Sequence, residues 1–260
     1  MEKMKYLIPP MLVVDELPEG EREAAIVICD LLSALSTHVS DFESAVMLLD
    51  YSESIRLSLW NESSEARARP DILKHGPEFY LEKVHGPLRA TKIPSSWSVI
   101  AAKDAAMTVY HAHYLISEIC ALLQACSDLR SIIDQSKLSE ATEIFNNSFP
   151  KAKQIRNTVA HSAEILRDKQ KNGFRGKTGN GWLKKAKGSL VTIVNTLMGR
   201  DLHMTRKGEL LSLPVTQQSL TQIRLSIEAM FDAFEAAAQI TRERYKSTRL
   251  SESPERPSQH

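Results

Sequence analysis

Cysteine is scarce in this 260-residue chain: Cys29, Cys120 and Cys126 are all there is, with no CxxC pair. An odd count embedded in apolar helical patterns argues against a disulfide framework or a cysteine zinc site. It fits reduced thiols in a cytoplasmic setting. An excess of one charge is also missing, because 33 Lys plus Arg face 32 Asp plus Glu and leave a net +1. No whole-molecule field singles out a polyanionic partner, so any such preference must be local. No eighteen apolar residues run together, which argues against a membrane span or a membrane partner.

Familiar chemical motifs are lacking too. No GxSxG or HExxH occurs. Gly176-Lys177-Thr178 ends like a phosphate-binding loop, but Lys171 stands where the first glycine is required, and a helical rather than strand pattern precedes it. His111 and His113 lie about 200° apart on a helix and do not share an ion easily. The expectation is no metal and no cofactor.

What the sequence does contain is helical periodicity. The apolar stretch from Tyr6 to Val14 is interrupted by Pro9-Pro10 and reads as an extended arm on the body rather than a signal sequence. After Pro18, the spacing of Ile28, Leu31, Leu35, Val39, Phe42, Val46 and Leu49 predicts a long helix to about Trp60. Residues 61–94 hold four prolines and read as a long connection with one short helix near 79–84. Ser95 and Ser96 offer an N-cap for a second helix, traced by Ile100, Val109, Ala112, Ile116, Ile119, Leu123, Cys126 and Leu129 and ending near Gln135.

A third helical region begins near Leu138, is kinked or restarted at Pro150, and continues through Ala152, Ile155, Val159, Ala163 and Leu166. Residues 197–215 carry short apolar runs on either side of Arg206-Lys207-Gly208-Glu209, predicting a small β-hairpin. Thr216 then caps a last long helix through Leu220, Ile223, Ile227, Met230, Phe234 and Ile240. The expected fold is mainly α: one domain over 1–245, an antiparallel bundle of four or more long helices with a β-hairpin before the last, and a disordered tail at 246–260.

Within the third helical region stands Arg156-Asn157-Thr158-Val159-Ala160-His161. Asn157 and His161 are i and i+4 and share a helix face, while Arg156 is about 140° from His161 and must use its long stem to converge on it. Taking Ile155, Val159 and Leu166 as the core side points Asn157 and His161 outward. A second Arg and His at similar spacing, Arg69 and His75, has Pro70 after the arginine and no helical periodicity around it.

The Arg-polar-x3-His arrangement resembles the HEPN family, whose signature is an arginine, a polar follower and a histidine near the end of the third helix of a four-helix bundle. The resemblance covers the motif and a bundle plan over 97–245. It implies a metal-independent endoribonuclease acting as a homodimer in which two motifs meet about a two-fold axis, and the toxin or defence roles common in that family, with a neutralising antitoxin protein as a further partner. His161 would be general acid and base, since imidazole takes or returns a proton at neutral pH. Arg156 would hold the charge growing on phosphorus, and Asn157 would orient the ring or bind the backbone. The alternative is a helical module that binds protein or RNA without cutting it.

The missing local charge appears directly after the motif. Across 167–188, Arg167, Lys169, Lys171, Arg175, Lys177, Lys184, Lys185 and Lys187 face Asp168 alone. Phe174 and Trp182 are interleaved and offer faces on which unpaired bases stack, so this loop is the expected RNA contact. A plain solvated loop is the other reading of the same composition.

Overall fold

The computed structural model describes residues 7–168, 174–175 and 190–251. It is mainly helical, with a small antiparallel sheet before the last helix, as the periodicity predicts. The helices are α1 (Glu19–Ala68), α2 (Lys92–Leu122), α3 (Ser127–Ile132), α4 (Gln135–Ser148), α5 (Ala152–Ala160), α6 (Ser162–Arg167) and α7 (Gln217–Ser251). The strands are β1 (Phe174–Arg175), paired with β2 (Leu190–Val191), and then β3 (Thr196–Met198), β4 (Asp201–Arg206) and β5 (Glu209–Pro214). Contacts divide the chain into two compact units: Met1–Ser40, His111–Pro150 and Thr221–His260 in one, Asp41–Tyr110 and Lys151–Leu220 in the other.

The first unit is an antiparallel four-helix bundle. The α4 and α7 segments run in opposite directions: Ser148 Oγ donates to Gln222 Oε1, Ser226 Oγ to the Ala141 carbonyl, and Asp134 N–H to the Ala233 carbonyl. His38 of α1 meets His111 of α2 at 5.6 Å, and His113 stacks on Phe145 at 5.9 Å. The two histidines of the rejected metal pair are thus engaged with different neighbours. Residues 7–13 form no regular element and lie against the first unit: Pro10 and Leu12 are buried, and Val13, itself extended, donates its N–H to Thr241 Oγ1 at 3.1 Å.

One cap in this unit joins distant parts of the sequence. Glu21 Oε1 accepts from Ser127 Oγ at 2.9 Å and Asp128 N–H at 2.8 Å, and Oε2 accepts from Leu129 N–H at 3.2 Å. These are the orphan donors at the start of α3, satisfied by a carboxylate 106 positions away from Ser127. Burial opposes the charge on Glu21, yet the backbone and hydroxyl donors together hold its pKa below the ordinary carboxylate value.

The second unit carries the sheet. β4 and β5 pair across a two-residue turn, Lys207-Gly208, both at positive φ, with Arg206 opposite Glu209. That is the geometry a twisted hairpin favours. Lys151 Nζ reaches Glu209 at 3.1 Å and Arg206 donates to the Gln154 carbonyl at 3.4 Å, tying the hairpin to α5. Thr205 brackets Ile193 with three hydrogen bonds, holding the segment that enters β3. Arg200 is ion-paired to Asp50 and Glu53 of α1.

Several boundaries differ from the sequence expectations. α1 extends past Trp60 to Ala68, with Leu32 rather than Leu31 in its buried stripe. The connection at 61–94 shrinks to residues 69–91, which form short helical turns held in part by Ser63 Oγ donating to the Val84 carbonyl. Ser95 and Ser96 do not cap: α2 already begins at Lys92, and their hydroxyls donate to the carbonyls four residues back. Ile100 is exposed instead of lining the core, and α2 closes at Leu122. The hairpin gains a third strand, β3, and α7 carries helix through Ser251 into the stretch expected to be a disordered tail. One window of α1 is long and apolar enough to cross a membrane by length and composition, but Ile28, Leu32, Leu35, Val39 and Phe42 within that helix are buried against the protein.

Candidate functional site

Pro150 breaks the third helical region where expected, and a second break falls at His161. Asp134 caps α4 through Ser136 and Lys137 N–H, and α4 ends at Ser148. α5 then runs from Ala152 on an amphipathic face of Ala152, Ile155 and Thr158. His161 leaves helical geometry at φ −109°, ψ 31°, still donating its N–H to the Asn157 carbonyl, and α6 starts at Ser162. The break turns the downstream face: Ile165 becomes the buried residue, while Ala163 and Leu166, expected inside, are exposed and Val159 is half-buried.

His161 stands half-exposed, its Nδ1 3.3 Å from Glu164 Oε1. A carboxylate beside one ring nitrogen orients the imidazole and leaves the other nitrogen to face outward chemistry. The ring borders a cavity of about 230 Å³ lined also by Ile165, Arg167, Asp168, Arg206 and Lys207. Three cations and two carboxylates therefore surround the histidine. Lys207 reaches this place from a left-handed backbone conformation, φ 49°, which costs a non-glycine residue about 1–2 kcal/mol.

Arg156 does not join that cavity. Its guanidinium carbon lies 4.9 Å from the ring centroid of Tyr110, and one terminal nitrogen donates to Asn157 Oδ1 at 3.1 Å. Nε is buried and lacks a hydrogen-bond partner. The structure brings Arg156 to Tyr110 and to Asn157, and His161 together with Arg167, but neither Arg156 nor Asn157 is among the residues lining the histidine's cavity. Of the three side chains expected to converge on one outward spot, His161 is exposed at the cavity, whereas Arg156 and Asn157 are half-buried outside its lining, the arginine having found an aromatic face within its own chain.

The second spacing match behaves unexpectedly. Arg69 donates to Asp71 at 3.2 Å and His75 Nε2 lies 3.1 Å from the same carboxylate, which is held down at about 2, first by Arg69 and then by His75. This cluster is exposed, so it reads as a surface ion pair around a helical turn.

Among the basic-loop residues, Arg167 is described and lines the cavity. Phe174 and Arg175 form β1. Lys169, Lys171, Lys177, Trp182, Lys184, Lys185 and Lys187 lie outside the described residues. No group of residues suited to hold a metal ion occurs among the described residues. In the sequence Arg206 and Lys207 read as turn residues only; their place in the lining of the His161 cavity comes from β-pairing and has no local signature. Comparison with protein-family models, curated proteins and solved structures finds no match, so the reading of this site rests on the chain itself.

Proposed function

We propose that the protein is a metal-independent endoribonuclease in which His161 moves the proton and Arg206, Lys207 and Arg167 hold the phosphate. The observation that carries this reading is the half-exposed His161, oriented by Glu164 at 3.3 Å, at the edge of a cavity lined by those cations. Imidazole accepts the 2′-hydroxyl proton as that oxygen attacks phosphorus, and returns one to the departing 5′-oxygen. Cations fixed around the phosphate stabilise the charge that grows on its oxygens, and they are in place before the reaction begins. The product would carry a 2′,3′-cyclic phosphate.

Arg156 takes a positioning role here. Stacked on Tyr110 and bonded to Asn157, it fixes the end of α5 from which His161 departs. The RNA target, a homodimer and a neutralising partner protein, with a toxin or defence role, belong to the same proposal. Cleavage by wild type in EDTA, with none by His161→Ala, is the expected result; equal behaviour of the two proteins ends the catalytic reading.

The commitment of Arg156 to Tyr110 favours one second reading, a module that binds RNA or protein without cutting it. It predicts RNA retention by wild type with no cyclic-phosphate product at any pH.

A further inference from the structure

Within the second unit, a cavity of about 300 Å³ is enclosed by α1, α2 and β3, and it shares no residue with the cavity beside His161. Leu49, Glu53 and Arg56 reach it from α1 at i, i+4 and i+7, and Ser95, Ser98 and Val99 from α2 at i, i+3 and i+4, so each helix presents one face. Leu197 of β3 closes a third side. The volume stands at the small end of ligand cavities, roughly 300–1,000 Å³, and suits a small molecule.

The lining divides into an apolar part and a charged part. Leu49 is buried, and Val99 and Leu197 are half-buried. Glu53 and Arg56 supply one charge of each sign, with 41% and 49% of their side chains exposed. Glu53 is loosely held: Arg56 approaches Oε1 at 3.5 Å, and Arg200, already paired with Asp50, approaches Oε2 at 3.8 Å. A charge-assisted N–H···O bond closes to about 2.7–2.9 Å, so neither arginine fully engages this carboxylate, and Arg56 keeps donors to spare. The serines add acceptors. Ser95 Oγ donates to the Thr91 carbonyl at 2.7 Å and Ser98 Oγ to the Pro94 carbonyl at 3.0 Å, so each hydroxyl proton is committed and each oxygen can only accept.

This pattern selects a ligand by its charges. A plain carboxylate that takes Arg56 leaves Glu53 beside a second negative charge, and a plain amine that takes Glu53 leaves Arg56 beside a second positive one. A zwitterion partners both. Its carboxylate accepts from the Arg56 guanidinium, while its ammonium donates to Glu53 and the serine oxygens. An apolar side chain on the same molecule covers Leu49, Val99 and Leu197. We propose that this cavity binds a free α-amino acid with an apolar side chain, Arg56 holding the carboxylate and Glu53 the ammonium.

Isothermal titration of the full chain with L-leucine and L-phenylalanine tests this. Isocaproate and isoamylamine serve as analogues, keeping the frame of leucine without its ammonium or without its carboxylate. At least one of the amino acids binds saturably, and each single-charge analogue binds about tenfold more weakly or less. Arg56→Met and Glu53→Gln each weaken the amino acid by about tenfold, with circular dichroism confirming that both variants fold. Arg67→Met, which removes an α1 arginine outside the lining, leaves binding unchanged. Failure of both amino acids to bind overturns the proposal. So does an analogue that binds as tightly as leucine, which assigns the cavity to a single charge, and so does binding that survives both substitutions. RNA cleavage enters none of these readouts, so this proposal and the catalytic one fail separately.

Discussion

If Arg156 is a positioning residue, its loss is felt first in stability and coupled to Tyr110. The half-buried guanidinium over that ring contributes about 1 kcal/mol, between the values for exposed and desolvated pairs. Its hydrogen bond to Asn157 adds about 1 kcal/mol, and relief of the unpartnered Nε on truncation offsets a similar amount. Loss of the apolar stem restores part of the cost, so Arg156→Ala should lower stability by about 1–2 kcal/mol. Arg156→Met keeps the stem and removes the orphan nitrogen, and should cost less. Urea unfolding of Arg156→Ala, Tyr110→Leu and the double variant should give a coupling energy near 1 kcal/mol. Cleavage per folded molecule should fall much further for His161→Ala than for Arg156→Ala. Zero coupling, together with an Arg156→Ala protein as inactive as His161→Ala and fully stable, would show that the arginine leaves Tyr110 to work in the cavity.

Replacing both Arg206 and Lys207 by Ala should weaken RNA cleavage while changing thermal stability little; activity at the wild-type level would remove the cations from the mechanism. Glu21→Ala should destabilise the chain by about 2–4 kcal/mol, because it strips a buried, charged cap from the start of α3, and calorimetry checks it. Since the folded pKa of Glu21 is lowered, its contribution is full above the ordinary carboxylate pKa and disappears as pH falls through the folded value. The stability gap between wild type and Glu21→Gln should accordingly close on acidification, and a gap that widens would contradict the assigned hydrogen bonds. Replacing Lys184, Lys185 and Lys187 by Ala should flatten the salt dependence of RNA binding, since fewer counterions are released. An unchanged slope removes those lysines from the contact.

Long-range periodicity and local turn chemistry were legible in the chain. The stripe of Ile28, Leu35, Val39 and Phe42 marks α1 because a helix returns the same face every three to four residues, and those residues are buried. Thr216 announces α7 by a cap that needs only neighbours: its Oγ1 accepts from Ser219 N–H at 3.1 Å. Gly208 after Lys207 marks a tight turn for an equally local reason, a backbone that must pass through positive φ. His161 stood out in sequence as an ionisable group at a distinctive spacing from an arginine.

Tertiary packing decided what that histidine faces. Arg156 was assigned to Tyr110 by a contact between residues far apart in the chain, and an aromatic ring outcompetes open solvent for a guanidinium stem. Arg206 and Lys207 were brought beside His161 by strand pairing and by the contacts of Lys151 and Arg206 with their neighbours, none of which periodicity encodes. Glu21 likewise became a cap only because folding placed it at α3. Local order follows from nearest neighbours along the chain, whereas the company a side chain keeps depends on which surfaces remain once the core is filled.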